Sequence, residues 1–119
     1  MHELSVCQAL LAQVREIASG SGAAAVARIV IEVGPLSGIE PALLERAFAA
    51  MRAGSCAADA VLSIETPDVR IRCMTCDAQS QTSPNRLVCA VCGGFRTRIV
   101  AGDELRLRRV ELNVPLAAA

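Results

Sequence analysis

From Glu3 to Ala18 the apolar residues Leu4, Cys7, Leu11, Val14 and Ala18, flanked by Leu10 and Ile17, recur at the spacing of one helix face. The pattern predicts an amphipathic helix that begins almost at residue 1 and stops at Ser19-Gly20-Ser21-Gly22. The period then changes to two: Arg28-Ile29-Val30-Ile31-Glu32-Val33 alternates, with Ile29, Ile31 and Val33 on one face, and reads as a strand ended by Gly34-Pro35. Pro41 suits the first turn of a second helix, whose buried stripe would be Leu44, Ala47, Phe48 and Met51 and whose stop is Gly54. Ala60 to Thr66 reads as another strand, closed by Pro67. After the turn Ala101-Gly102-Asp103, the run from Glu104 to Leu112 alternates as Leu105 and Leu107, then shifts phase to Val110 and Leu112, as a bulge near Arg108-Arg109 would produce.

This last strand is expected to return to the first sheet, so the segment between is an insertion. The fold class is α+β: a small mixed sheet of about three strands with two helices, carrying an inserted four-cysteine, zinc-ribbon-like module. One domain then comprises residues 1–68 and 101–119, and the other residues 69–100. The tail Pro115-Leu116-Ala117-Ala118-Ala119 looks frayed.

Four of the six cysteines supply the inserted module's chemistry. They form two C-x-x-C pairs, Cys73-Met74-Thr75-Cys76 and Cys89-Ala90-Val91-Cys92, twelve residues apart. Two residues between thiols let one tight turn aim both sulfurs at a common point, and two such turns complete a tetrahedral thiolate shell. Gly93 and Gly94 give the second turn the backbone freedom that a knuckle needs. A closed four-thiolate shell leaves no position for water or substrate, so zinc here builds fold. Iron in a rubredoxin-like site would use the same cysteines, and its red colour would distinguish it. The polar loop from Asp77 to Arg86 has too few apolar residues for a core, so metal is expected to fix it. Cys7 and Cys56 stand outside these motifs among apolar or small neighbours and suit buried positions.

Composition narrows the function. The 119 residues include two Phe and no Trp or Tyr, and twelve arginines balance twelve acidic residues. Neutrality and scarce aromatics argue against a generic polyanion binder. Charge is nonetheless uneven, with eight arginines between Val69 and Arg109 against Asp77, Asp103 and Glu104. A zinc-ribbon nucleic-acid-binding protein, using Arg70, Arg72, Arg96, Arg98, Arg106, Arg108 and Arg109, is therefore the alternative reading; it predicts oligonucleotide binding that weakens steeply with salt. There is no phosphate loop ending in Lys-Ser or Lys-Thr and no evident nucleophile-base pair, so no enzyme is expected. The first twenty residues lack a signal peptide's basic start and unbroken apolar stretch, and no apolar run approaches membrane-spanning length. Thiols arranged for metal then point to a cytoplasmic location.

His2 is the only histidine and stands next to Met1. A free Met1 amine, with a pKa near ~7.7–8.0, would close a five-membered chelate with the His2 amide nitrogen. The imidazole would close a six-membered ring to the same amide. Three nitrogens in one plane suit nickel(II) or copper(II), and Glu3 can add a fourth donor.

Met1-His2-Glu3-Leu4-Ser5-Val6 at a helix start, Glu32-Val33-Gly34-Pro35-Leu36-Ser37-Gly38-Ile39-Glu40-Pro41, the two C-x-x-C pairs and Gly102-Asp103-Glu104-Leu105-Arg106-Leu107 follow one another in this order. Together they resemble the HypA/HybF family of hydrogenase nickel-incorporation proteins, from Met1 to about Leu112. The resemblance implies a nickel metallochaperone whose 1–68 and 101–119 domain binds Ni(2+) at His2. It implies structural Zn(2+) at Cys73, Cys76, Cys89 and Cys92. Glu40 matches a position where some members carry a carboxylate near the nickel. Ala90 departs from the proline that many members have after the third cysteine, which touches no ligand. The implied partners are a HypB-type GTPase and a hydrogenase large subunit, and apolar surface on the first helix could support a homodimer.

Overall fold

A computed structural model describes residues 2–113, without the His2 side chain. The expected Met1 amine, His2 imidazole and tail from Pro115 lie outside that description. In chain order the elements are α1 (His2–Gly20), β1 (Ala25–Val33), α2 (Pro41–Met51), β2 (Val61–Glu65), β3 (Val69–Cys73), β4 (Gln79–Thr82), β5 (Thr97–Ala101) and β6 (Leu105–Asn113). They form two three-stranded sheets, one ordered β2-β1-β6 and the other β4-β3-β5. The expected α+β class, with two helices and a three-stranded sheet that regains its last strand after the cysteine segment, is what folds. No helix among the described residues is long and apolar enough to cross a membrane.

The chain divides into two compact units, residues 1–31, 40–64 and 107–119 in the first, residues 32–39 and 65–106 in the second. In the first, α1 packs on α2. The helix buries Cys7, Leu10, Val14 and Ala18, so Leu10 takes the inward place expected of Leu11, while Leu4 and Ile17 stay exposed. The core-facing arc is thus one residue off the expected stripe at its middle. Leu44, Ala47 and Phe48 are the buried stripe of α2, with Met51 half-buried at its end. Pro41 occupies its first turn, where the missing N–H costs nothing. β1 starts three residues earlier than the alternation suggests and buries Val26, Ile29, Val30 and Ile31, because a central strand covered on both faces has no need to alternate. Arg28 on β1 donates to Ser63 Oγ on β2 at 2.7 Å and faces Glu111 on β6 at 3.8 Å, bridging all three strands.

In the second unit β3 is central, antiparallel to both β4 and β5. It buries Val69, Ile71 and Cys73 on one face. The polar segment from Asp77 to Arg86, expected as loop, contains β4: Gln79-Ser80-Gln81-Thr82 pairs residue by residue with β3. On β6 the exposure slips phase where expected, since Arg108 and Arg109 are exposed in succession between half-buried Leu107 and Val110. A register irregularity also falls between Arg70 and Ile71, where β3 meets β5.

Candidate metal centre

Cys73 is the last residue of β3, and Cys76 closes the turn that follows it. Cys89 and Cys92 form a second turn before β5. The two turns repeat one hydrogen-bond pattern. The N–H groups of Thr75 and Cys76 donate to Cys73 Sγ at 3.4 Å each, and those of Val91 and Cys92 donate to Cys89 Sγ at 3.3 and 3.4 Å. The Asp77 N–H donates to the Cys73 carbonyl as the Gly93 N–H does to that of Cys89, both at 3.0 Å. The Cys73 N–H donates to the Ala78 carbonyl as the Cys89 N–H does to that of Gly94, both at 2.9 Å. Asp77 and Gly93 share left-handed backbone, with φ of 63° and 74°.

The consequence is four sulfurs gathered at one place. All ligand atoms lie within 4.8 Å of one another, with Cys73 Sγ to Cys92 Sγ at 3.5 Å and Cys76 Sγ to Cys89 Sγ at 3.6 Å. A Zn–S bond of about 2.3 Å implies a tetrahedral edge of about 3.8 Å, so the sulfurs are spaced for a metal of zinc's size. All six cysteines are free thiols.

Each turn makes its two thiols unequal. The amides of Cys76 and Thr75 hold the Cys73 thiol down at about 6, against an ordinary 9.0. Cys89 is lowered too, by the amides of Cys92 and Val91. Cys76 is pushed up to about 12: the Ala78 amide draws it down, but desolvation and the crowding of Cys89, Cys92 and Cys73 outweigh that. The sulfurs that accept two amide bonds are the buried ones, while Cys76 and Cys92 are exposed. Amide donors of this kind stabilise thiolate charge, which is what a metal requires of its ligands.

At the other predicted site, the Glu40 N–H donates to the Glu3 carboxylate at 3.3 Å. Glu40 is the N-cap of α2 and its side chain makes no cap bond, so Glu3 supplies the acceptor there. The starts of the two helices, and with them Glu3 and Glu40, are thereby brought together. Pairing of these two segments was not legible in the spacing, because they lie 37 residues apart.

A two-helix α+β chain with four convergent thiols belongs to the class of proteins with a site able to hold a metal ion. Comparison with known proteins refines that class. The family model for HypA, described as hydrogenase/urease nickel incorporation, metallochaperone, matches residues 1–112. Similar curated proteins include the hydrogenase maturation factor HypA of Nitrosospira multiformis, 41% identical over 112 residues covering 94% of this chain and 97% of that one. That of Aquifex aeolicus is 37% identical over 114 residues, with 96% and 99% covered. Among solved structures, the Ni metallochaperone HypA from Helicobacter pylori superposes with a TM-score of 0.72 at 29% identity, covering 94% of this chain and 97% of that one. The chain belongs to the HypA family.

Proposed function

We propose that this protein is a nickel metallochaperone that binds Ni(II) at its N-terminus through His2 and helps insert it into [NiFe]-hydrogenase during maturation. The observation that carries this reading is the family match from residue 1 to 112, which takes in the Met-His-Glu start as well as the cysteines. Nickel is cargo, so its site must exchange. Imidazole and terminal amine release metal on protonation or a small rearrangement, whereas a four-thiolate shell resists both. The Met1 amine and Glu3 are further donors, and Glu40 stands at the same end through its bond to Glu3. Cys73, Cys76, Cys89 and Cys92 hold a structural zinc, which fixes the two knuckles; the sulfur spacing supports this assignment. The protein performs no catalysis of its own. A HypB-type GTPase supplies nucleotide hydrolysis, a hydrogenase large subunit receives the metal, and the work takes place in the cytoplasm.

Calorimetric titration with nickel tests the site. Wild type is compared with His2→Ala and with a form whose Met1 amine is acetylated. Both changes are expected to lower affinity at least about tenfold, since each removes one nitrogen of a chelate. Unchanged affinity in both would place nickel elsewhere.

A further inference from the structure

The outer face of the second sheet carries charge that the fold does not use. Register places Arg72 directly opposite Arg98 on β5 and Gln79 on β4, with Arg70 opposite Gln81. Directly paired positions share a face, so these side chains lie together, opposite the buried Val69, Ile71 and Cys73. The Met74 N–H donates to the Arg96 carbonyl at 2.8 Å, which carries the β3–β5 pairing one step further and adds Arg96 and Met74. Arg72, Arg96 and Arg98 are exposed, and none of the four arginines pairs with a carboxylate among the described residues.

Like charges opposite one another across strands cost stability. Charged side chains on edge strands guard against unwanted pairing, which accounts for Arg98 on β5. It does not account for Arg70 and Arg72, because β3 is central and has no free edge. A zinc ion in four thiolates is formally a dianion and offsets at most half of the four guanidinium charges. At the knuckle end Met74 is 56% exposed, and Phe95, the chain neighbour of Arg96, is at 82% the most exposed large apolar side chain among the described residues. Arginine, methionine and an unsupported aromatic are the residue types enriched at protein interfaces.

We infer that this face, Arg70, Arg72, Arg96 and Arg98 with Met74 and Phe95 at its knuckle end, docks an acidic protein surface that has an apolar recess. A protein fits better than a nucleic acid. Asp68, which accepts from Gln81 at 3.3 Å, places a carboxylate at the edge of the patch, and Asp77 follows the first knuckle. A discrete acidic surface can avoid those carboxylates, while a continuous phosphate backbone meets them. The inference rests on the reading that the chain works with protein partners, and it is independent of the nickel ligands.

The test uses the zinc-loaded protein with two purified probes from the same organism, the HypB-type GTPase and the hydrogenase large subunit. Affinity is measured for wild type, Arg72→Glu with Arg98→Glu, the neutral pair Arg72→Gln with Arg98→Gln, and Phe95→Ala. For at least one probe, the charge reversal should weaken binding about tenfold or more, the neutral pair less, and Phe95→Ala several-fold, with zinc content and nickel affinity unchanged. The wild-type affinity for that probe should also fall as salt rises. Wild-type affinity of all variants for both probes overturns the inference. So does loss of binding confined to variants that have lost zinc, or a wild-type affinity for RNA or duplex DNA that the reversal abolishes. A dimer that the reversal converts to monomer also overturns it, because the face would then join two copies. If wild type binds neither probe, the inference and the partner assignment fall together, and the nickel titration still judges the His2 site alone.

Discussion

Asp77 does in the first knuckle what Gly93 does in the second. Each follows the closing cysteine in left-handed backbone and donates its N–H to the carbonyl of the opening cysteine. The glycine advertises that conformation in sequence; aspartate tolerates it, but also occurs everywhere else, so only the structure assigns it. The cysteines themselves were legible from spacing alone, because two residues between thiols leave the turn few shapes. What spacing does not reveal is which thiol carries the charge. Cys73, with two amide donors, has a pKa of about 6 where an unfolded thiol has 9.0. A lowered thiol pKa means that the thiolate contributes fully above 9.0, and the contribution is lost as pH falls through about 6. Protons and metal compete for the same sulfur, so acid favours release. Zinc-loaded protein titrated downward from about pH 8 should hold its metal past the value of about 6 that the metal-free Cys73 thiol has and release it only in stronger acid, because a bound metal lowers a thiolate's pKa further, as read by a chromophoric zinc indicator. Release that is complete above about pH 7 would mean that the amide–sulfur bonds do not protect Cys73.

Among the elements, the helices follow from periodicity, because each has a buried side that must recur at its own period, and β1 follows from its β-branched run Ile29-Val30-Ile31. Leu10 displaced Leu11 because both lie near the edge of the apolar arc, and a small rotation of α1 chooses between them. β4 was illegible for a physical reason: Gln79-Ser80-Gln81-Thr82 has no apolar side to signal a strand, and what holds it is backbone pairing to β3. Nor does the sequence say why Gly34 and Gly102 are glycines. The Leu36 N–H donates to the Gly102 carbonyl at 2.8 Å and the Gly34 N–H to that of Glu104 at 3.0 Å, so the loop after β1 crosses the turn before β6 backbone to backbone. A Cβ on Gly34 would collide with the Gly102 carbonyl. One on Gly102 would meet Val69 Cα at 2.9 Å, at a φ of 104° that side chains rarely adopt. Neither obstacle is a flexible side-chain end, so relief requires the chain to move. Gly34→Ala and Gly102→Ala should each cost about 2–4 kcal/mol in denaturant unfolding, whereas Gly20→Ala, with open space around it, should cost nothing measurable.

The molecule as a whole is held by two different means. The first unit buries Cys7, Leu10, Val14, Ile29, Leu44 and Phe48 among others, a core adequate without metal. In the second, the buried apolar side chains among the described residues are Val33, Val69, Ile71, Cys73 and Cys89, and the last two are proposed zinc ligands. Three aliphatic side chains are few against the cost of ordering about fifty residues, at about 1–2 kcal/mol each for the backbone alone, so cross-linking by metal has to supply the difference. Removing zinc with a strong chelator should therefore leave the helices intact while the other unit loosens. Hydrogen exchange should accelerate at least about a hundredfold for the knuckle amides of Thr75, Cys76, Val91 and Cys92 and for the strand amides of β4 and β5, which lose the anchor that orders their turns. Amides within α1 and α2 should keep their protection, and far-UV circular dichroism its helical bands. If zinc removal instead melts both units together, the first depends on the second for its stability, and the aliphatic core of α1, α2 and β1 is weaker than its burial suggests.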